Sequence, residues 1–244
     1  MPRTLFISDL HLSDERPAIS ERFYRFLAEV AAHAEALYVL GDLFDYWIGD
    51  DELTADDGDR LARRVAGELR TLAQAGVAVH VMRGNRDFLL GERFLAAAGA
   101  SALPDPSIVT IDQVETLLMH GDTLCTDDHA YQHFRAEVRR RDWQERFLGL
   151  PLAMRRTRAL ELRAASELDK RAKPPEIMDV NHAAVLDALR RHHVARLIHG
   201  HTHRPARHEL EVGGRRCERW VLPDWYQRGG YLVAEHGALR LEML

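Results

Sequence analysis

Seven residues of this 244-residue chain carry side chains that bind divalent metals and stand where apolar runs stop. Asp9-Leu10-His11 spaces two ligand types two residues apart, so on extended backbone both face one side. Gly41-Asp42-Leu43-Phe44-Asp45, Gly84-Asn85-Arg86-Asp87 and His120-Gly121-Asp122 follow, and Gly200-His201-Thr202-His203 repeats the period of two. Each cluster alone has an ordinary reading, since an Asp-x-His is commonly a cap or surface pair and a single buried histidine a satisfied core residue. Five clusters, most beside a glycine that lets the backbone turn sharply, point instead to a metal centre.

Asp9, His11, Asp42, Asn85, His120, His201 and His203 are too many donors for one tetrahedral zinc, but suit two metals sharing a carboxylate, with Asp42 as the natural bridge. Oxygen and nitrogen donors without thiolate suit Mn2+, Fe2+, Co2+ or Zn2+. Two such ions about 3.5–4 Å apart lower the pKa of a bound water from about 15.7 towards neutrality and stabilise charge on entering and leaving oxygens. The chemistry this favours is in-line hydrolysis of a phosphate ester or phosphoanhydride.

The elements that must position these residues read as an α/β sheet of crossover units. Strands are predicted at 4–8, 36–40, 77–82, 114–119 and 195–198, with helices at 19–34 and 59–75 between the first three. Ligands in such sheets gather beyond the carboxyl ends of the strands, where all five clusters can converge. Residues 128–171 read as largely helical, and Asp179 reads as the N-cap of a helix running to His192. From His208 onward short β runs alternate, with Gly213-Gly214 and Gly229-Gly230 as turns.

Asp9-x-His11, Gly41-Asp42-x-x-Asp45, Gly84-Asn85, His120 and Gly200-His201-x-His203 together resemble the calcineurin-like metallophosphoesterases. The resemblance implies an α/β fold, a four-layer αββα sandwich with the dimetal site at one sheet edge. It also implies that Asp9, His11, Asp42 and His203 hold one ion, and Asp42, Asn85, His120 and His201 the other. Many members of that superfamily have a histidine after the asparagine to protonate an alkoxide leaving group; this chain has Arg86. Arginine cannot act as a general acid near neutral pH but binds phosphate oxygens bidentately. Position 86 therefore favours a pyrophosphate, whose leaving group is already stable as an anion, unless Arg86 merely pairs with Asp87 or Asp45.

The stretches 41–51, 120–128, 177–181 and 198–205 resemble more narrowly a family of pyrophosphatases of lipid A biosynthesis. Those enzymes cleave UDP-2,3-diacylglucosamine to UMP and 2,3-diacylglucosamine 1-phosphate, usually with Mn2+. The resemblance runs from Thr4 to about Leu241. It implies substrate contacts from Asn85, Arg86, Asp128, Tyr131, Ser166, Lys173 and His201, with Arg86 and Asp42 as catalytic residues. Lys170 stands where an asparagine is expected, although a lysine could still reach a phosphate. Ser166 and Lys170, four apart, would share one helix face, as an ordinary surface pair also would.

The net charge of −5 conceals an asymmetry. Between Arg135 and Lys173 lie 12 basic and 6 acidic residues, leaving 21 basic and 32 acidic elsewhere. Residues 128–173 therefore read as an inserted helical cap, and 1–127 with 174–244 as the catalytic domain. Trp143, Phe147, Leu148, Leu150, Leu152 and Met154 give the insert apolar surface amid arginines. Such a cap could enclose acyl chains while its basic rim meets anionic headgroups at the cytoplasmic face of the inner membrane, or could simply pack on the catalytic domain. Charge confined to one segment argues against nucleic acid. Cys125 and Cys217 are too few for a disulfide framework, and no run reaches the roughly 18 apolar residues of a membrane span. The expectation is a cytoplasmic monomer in peripheral contact with lipid. The alternatives are a nucleotide phosphodiesterase, a dinucleoside polyphosphatase, or a scaffold that binds without catalysis.

Overall fold

The computed structural model describes residues 3–56, 58–174 and 177–244, with side chains throughout except at Glu167, Lys170, Arg171 and Ala172. Two sheets face each other. The first orders β11 (Ala238–Met243), β10 (Gly230–Glu235), β1 (Arg3–Ile7), β2 (Ala36–Leu40), β3 (Ala78–Met82) and β4 (Ser101–Leu103). The second orders β5 (Ser107–Ile111), β6 (Val114–Met119), β7 (Arg196–His199), β9 (Arg215–Val221) and β8 (Ala206–Val212). β1 to β4 run parallel, as do β6, β7 and β9.

Period-two alternation sorts the strand residues into layers. On β1, Leu5 and Ile7 face α1 (Pro17–Glu29), α2 (Arg60–Gln74) and α3 (Glu92–Ala98), meeting Phe23, Val65 and Phe94 in one core. Phe6 faces the other way, into a second core shared with Leu40, Leu118, Ile198 and Trp220 between the sheets. Leu117, Met119 and Leu197 form a third with Val185 and Leu189 of α7 (His182–Arg191). Each fully buried side chain of this size contributes about 1.5–3 kcal/mol. Helices, sheet, sheet and helix give the four-layer sandwich.

Between β6 and α7 come α4 (His129–Val138), α5 (Arg141–Leu148) and α6 (Leu152–Ala172). Arg155 of α6 is buried and donates to the Ile48 carbonyl and the Asp51 carboxylate; Arg156 reaches Glu52 at 3.2 Å. Arg139 donates to the Gly84 carbonyl at 2.8 Å. The arginines of this segment thus serve partly as anchors.

Three local expectations are corrected. Asn181, not Asp179, caps α7: its Oδ1 accepts from Ala184 N at 3.1 Å, while Asp179 is drawn to Arg204 at 2.5 Å. The β10–β11 turn uses His236-Gly237, and Gly230 already belongs to β10. The predicted helix 19–34 ends at Glu29, continuing as a short 3-10 turn.

Candidate active site

The five clusters meet at the carboxyl ends of β1, β2 and β3 in one sheet and of β6 and β7 in the other, so the site bridges the two. The loops are laced by main-chain bonds: Asp9 N donates to Gly41 O (3.2 Å), His11 N to Asp42 O (3.0 Å), Gly200 N to His120 O (2.9 Å). Five of the seven residues adopt left-handed backbone, with φ of 55° at Asp9, 49° at His11, 53° at Asp42, 69° at His201 and 55° at His203. Asp and His tolerate this region better than most residues, yet each instance costs about 1–3 kcal/mol. Glycine is obligatory at two neighbours: a Cβ on Gly84 would collide with the Asp42 carboxylate, and one on Gly200 with Ser8 and Asp9.

Ligand atoms of Asp9, His11 and His203 cluster together, as do those of Asp9, Asp42 and His120. Asp42 looks both ways, with Oδ2 3.8 Å from His11 Nε2 and Oδ1 3.8 Å from His120 Nε2. Asn85 Oδ1 sits 2.8 Å from His120 Nε2 and 2.9 Å from His201 Nδ1. All seven residues are thus brought together, and Asp9 touches both groups.

The donor set fits cations. His120 Nδ1 lies 2.9 Å from the Leu40 carbonyl, so it carries the proton and leaves Nε2 facing the oxygens of Asn85 and Asp42. Without a cation that nitrogen must be protonated: although burial opposes the charge, Asp42, Asp122 and Asp9 raise the His120 pKa to about 9. Burial pushes Asp42 up to about 7. Burial also works against the charge on Asp9, but the hydrogen bond and charge of His203 and the nearby histidines hold its carboxyl below the usual range. Burial lowers His201 to about 3, leaving a neutral ligand.

Several residues that build the site were not singled out from sequence. Asp87 is fully buried, and its carboxylate accepts from Gly84 N (2.7 Å), Leu43 N (2.8 Å), Asp42 N (3.3 Å) and Phe44 N (3.4 Å), tying the Asp42 loop to the Asn85 loop. Asp122, also fully buried, accepts from Tyr131 Oη and Arg135 Nε, both at 2.6 Å. Both aspartates stand inside the quoted motifs, which was the available signal. Tyr226 stacks on His11 from a C-terminal loop, with no signal in its own neighbourhood.

Residues 2–205 match the calcineurin-like phosphoesterase family model. The chain belongs to the calcineurin-like phosphoesterases. Within that family it is 50% identical over 228 residues to the UDP-2,3-diacylglucosamine hydrolase of Aromatoleum aromaticum, covering 93% of this chain and 91% of that one. The protein of the same name from Cellvibrio japonicus is 48% identical over 238 residues, covering 98% and 97%. That from Stenotrophomonas maltophilia is 47% identical over 248 residues, covering 99% and 98%.

Beside the metal-type residues this phosphoesterase has a cavity of about 590 Å³, within the usual range for ligand sites. His11, Asp42, Asn85, Arg86, His201 and His203 line it. Asp128, Tyr131, Ser166 and Lys173 line it too, whereas the Lys170 side chain lies outside the described residues. Lys173 Nζ is held by Asp128 at 2.8 and 2.9 Å and also pairs with Asp169. The oxygens of Asp87 go to main-chain amides, and those of Asp45 to Arg16 and Arg163. Trp143 and Phe147 stack at 5.1 Å and form an apolar wall with Phe88, Phe134 and Leu162. Leu148 and Met154 are exposed and do not line the cavity.

Proposed function

We propose that this metal-dependent hydrolase cleaves the pyrophosphate of UDP-2,3-diacylglucosamine, giving UMP and 2,3-diacylglucosamine 1-phosphate, with two divalent ions, preferably Mn2+. The observation that carries the reading is one cavity lined both by five of the seven metal-type residues, His11, Asp42, Asn85, His201 and His203, and by an apolar aromatic wall. A phosphate-sugar headgroup joined to acyl chains has that polarity. The relatives at 47–50% identity carry the corresponding name.

Asp9, His11, Asp42 and His203 would hold one ion, and Asp42, Asn85, His120 and His201 the other. When bound, the ions supply a water of lowered pKa and offset charge on the phosphoryl oxygens. The protein's own groups do the rest. Arg86, whose main-chain N–H donates to Asp42 Oδ1 at 2.8 Å, lines the same cavity. Its guanidinium binds phosphate oxygens in a fork and stabilises charge that grows during displacement at the uridylyl phosphorus. No general acid is required, because the departing 1-phosphate is stable as an anion. Asp128, Tyr131, Ser166, Lys173 and, on the family resemblance alone, Lys170 would orient the headgroup.

Residues 128–173 would form the cap, its arginines partly anchoring it and its inner wall shielding the acyl chains from water. Among the described residues no helix is long and apolar enough to cross a membrane. Exposed Leu148, Met154, Leu160 and Leu168, with arginines between them, suit peripheral contact with an anionic bilayer from the cytoplasmic side.

The test is UMP release from UDP-2,3-diacylglucosamine by Mn2+-loaded protein, beside Asp42→Ala. The variant is expected to lose more than about 10³-fold in kcat/KM, the scale of several kcal/mol of charge stabilisation. No UMP from the loaded wild type, or an undiminished rate in the variant, would refute the assignment.

A further inference from the structure

Asp45 stands three residues past Asp42, and nothing above uses its carboxylate for metal or substrate. It is 6% exposed. Arg16 Nη2 pairs with its Oδ1 at 2.8 Å, and Arg163 Nε, from α6 of the inserted segment, donates to its Oδ2 at 2.5 Å. His11 Nδ1 lies 3.8 Å from Oδ1, an ion-pair distance that closes to a hydrogen bond with a shift of under about 1 Å.

The same arginine boxes in His11 from other directions. Arg16 donates to the His11 carbonyl at 3.3 Å and lays its guanidinium 4.8 Å from the Tyr226 ring centre. That ring stacks on the His11 imidazole at 5.1 Å with 10° between planes. The Nε2 edge of His11 meets His203 at 3.4 Å and Asp42 at 3.8 Å. A carboxylate on the far nitrogen of a metal-binding histidine fixes its tautomer and ring orientation. Here Asp45 stands 3.8 Å from that nitrogen, within reach of it but not hydrogen-bonded to it, and is shared with the insert. Arg155 with Asp51 and Arg156 with Glu52 already anchor α6 two turns earlier, so Arg163 adds a link that helix anchoring alone does not require.

We infer that Asp45 is a positioning residue that couples the seating of α6, through Arg163, to the orientation of His11 and hence to the affinity of the ion held by Asp9, His11 and His203. By reciprocity that ion also tightens the insert. The inference rests on the proposed two-ion centre. Removing Arg163 lets Asp45 turn towards Arg16 and away from His11, and one ion site loosens while the other keeps its ligands.

The experiment is Mn2+ titration of the full chain without substrate, free ion being read from its EPR signal. It compares wild type, Asp45→Asn, Arg163→Met, Arg163→Lys and Arg156→Met, with an unfolding curve for each. Asp45→Asn and Arg163→Met are expected to weaken one of two Mn2+ equivalents about 10-fold, the lower end for residues that orient a ligand. Arg163→Lys should restore most of that loss, and Arg156→Met should leave both equivalents unchanged. Unaltered Mn2+ affinity in a folded Arg163→Met, or an equal loss in Arg156→Met, would overturn the coupling. A wild type that takes up no Mn2+ would overturn the metal centre itself and the coupling with it, an outcome visible in the wild-type titration alone.

Discussion

Removal of the Asp87 carboxylate tests how the site is held. Its four acceptor contacts join the main chain of residues 42–44 to that of Gly84, and the shortest two measure 2.7 and 2.8 Å. In Asp87→Ala at least those two amides lose their partner in a region closed to water, at about 1–3 kcal/mol each. The gross loss is about 2–6 kcal/mol. Some is offset, because burial raises the Asp87 pKa and the carboxylate is itself costly to hold there. A net loss of about 2–4 kcal/mol of stability is expected, read from denaturant midpoints of metal-free protein. Asp87→Asn keeps one acceptor oxygen but turns an NH2 towards amides that donate, so it should fall between alanine and wild type. Asp42 and Asn85 hang on these loops, so Mn2+ affinity should fall as well. If Asp87→Ala unfolds within about 0.5 kcal/mol of wild type and binds Mn2+ equally well, the lacing argument is wrong.

Arg86→Ala should lower kcat/KM about 10- to 100-fold, for a charged hydrogen bond worth about 1.5–3 kcal/mol, and Arg86→Lys should recover only part because a point charge cannot fork. Phe147→Leu should raise KM for the acylated nucleotide more than for a deacylated analogue, whereas Leu148→Ala, on the outer surface, should discriminate between neither; equal behaviour of the two variants would remove the acyl wall. Metal loading should release protons: at pH 7 the metal-free site carries one on His120 (about 9) and part of one on Asp42 (about 7), both of which a bound cation displaces. Net proton release is expected at pH 7, with Mn2+ affinity rising as the pH rises; calorimetric heats independent of buffer ionisation enthalpy would contradict this.

The donor set was readable because each residue follows an apolar strand and its type recurs at five strand ends. The architecture followed from the same strands, since five carboxyl ends can meet at one place in few topologies. Roles that depend on three-dimensional partners were not readable. Asp179 and Asn181 both look like caps, and it is the engagement of the Asp179 carboxylate by Val180 N and Arg204 that leaves the role to Asn181. Leu148 and Phe147 are adjacent and equally apolar, but the turn of α5 sends one outward and the other into the wall. Arg16 and Tyr226 are about 210 positions apart and meet only once β10 has paired with β1. β5 was not assigned from sequence, because Ile108 on its exposed side breaks the apolar–polar alternation that the burial of Ser107–Ile111 follows.

The left-handed backbone at Asp9, His11, Asp42, His201 and His203 sets folding against function. Glycine at any of these positions would relax the main chain while abolishing a ligand, and alanine would abolish the ligand while retaining the strain. Glycine variants are therefore the cleaner knockouts, and at Asp42 the glycine form should be more stable than the alanine form by about 1 kcal/mol. A lineage released from catalysis would drift towards glycine at these sites and become a sturdier, inert protein. Asp and His at all five positions place ligand atoms at a conformational cost that glycine would not carry.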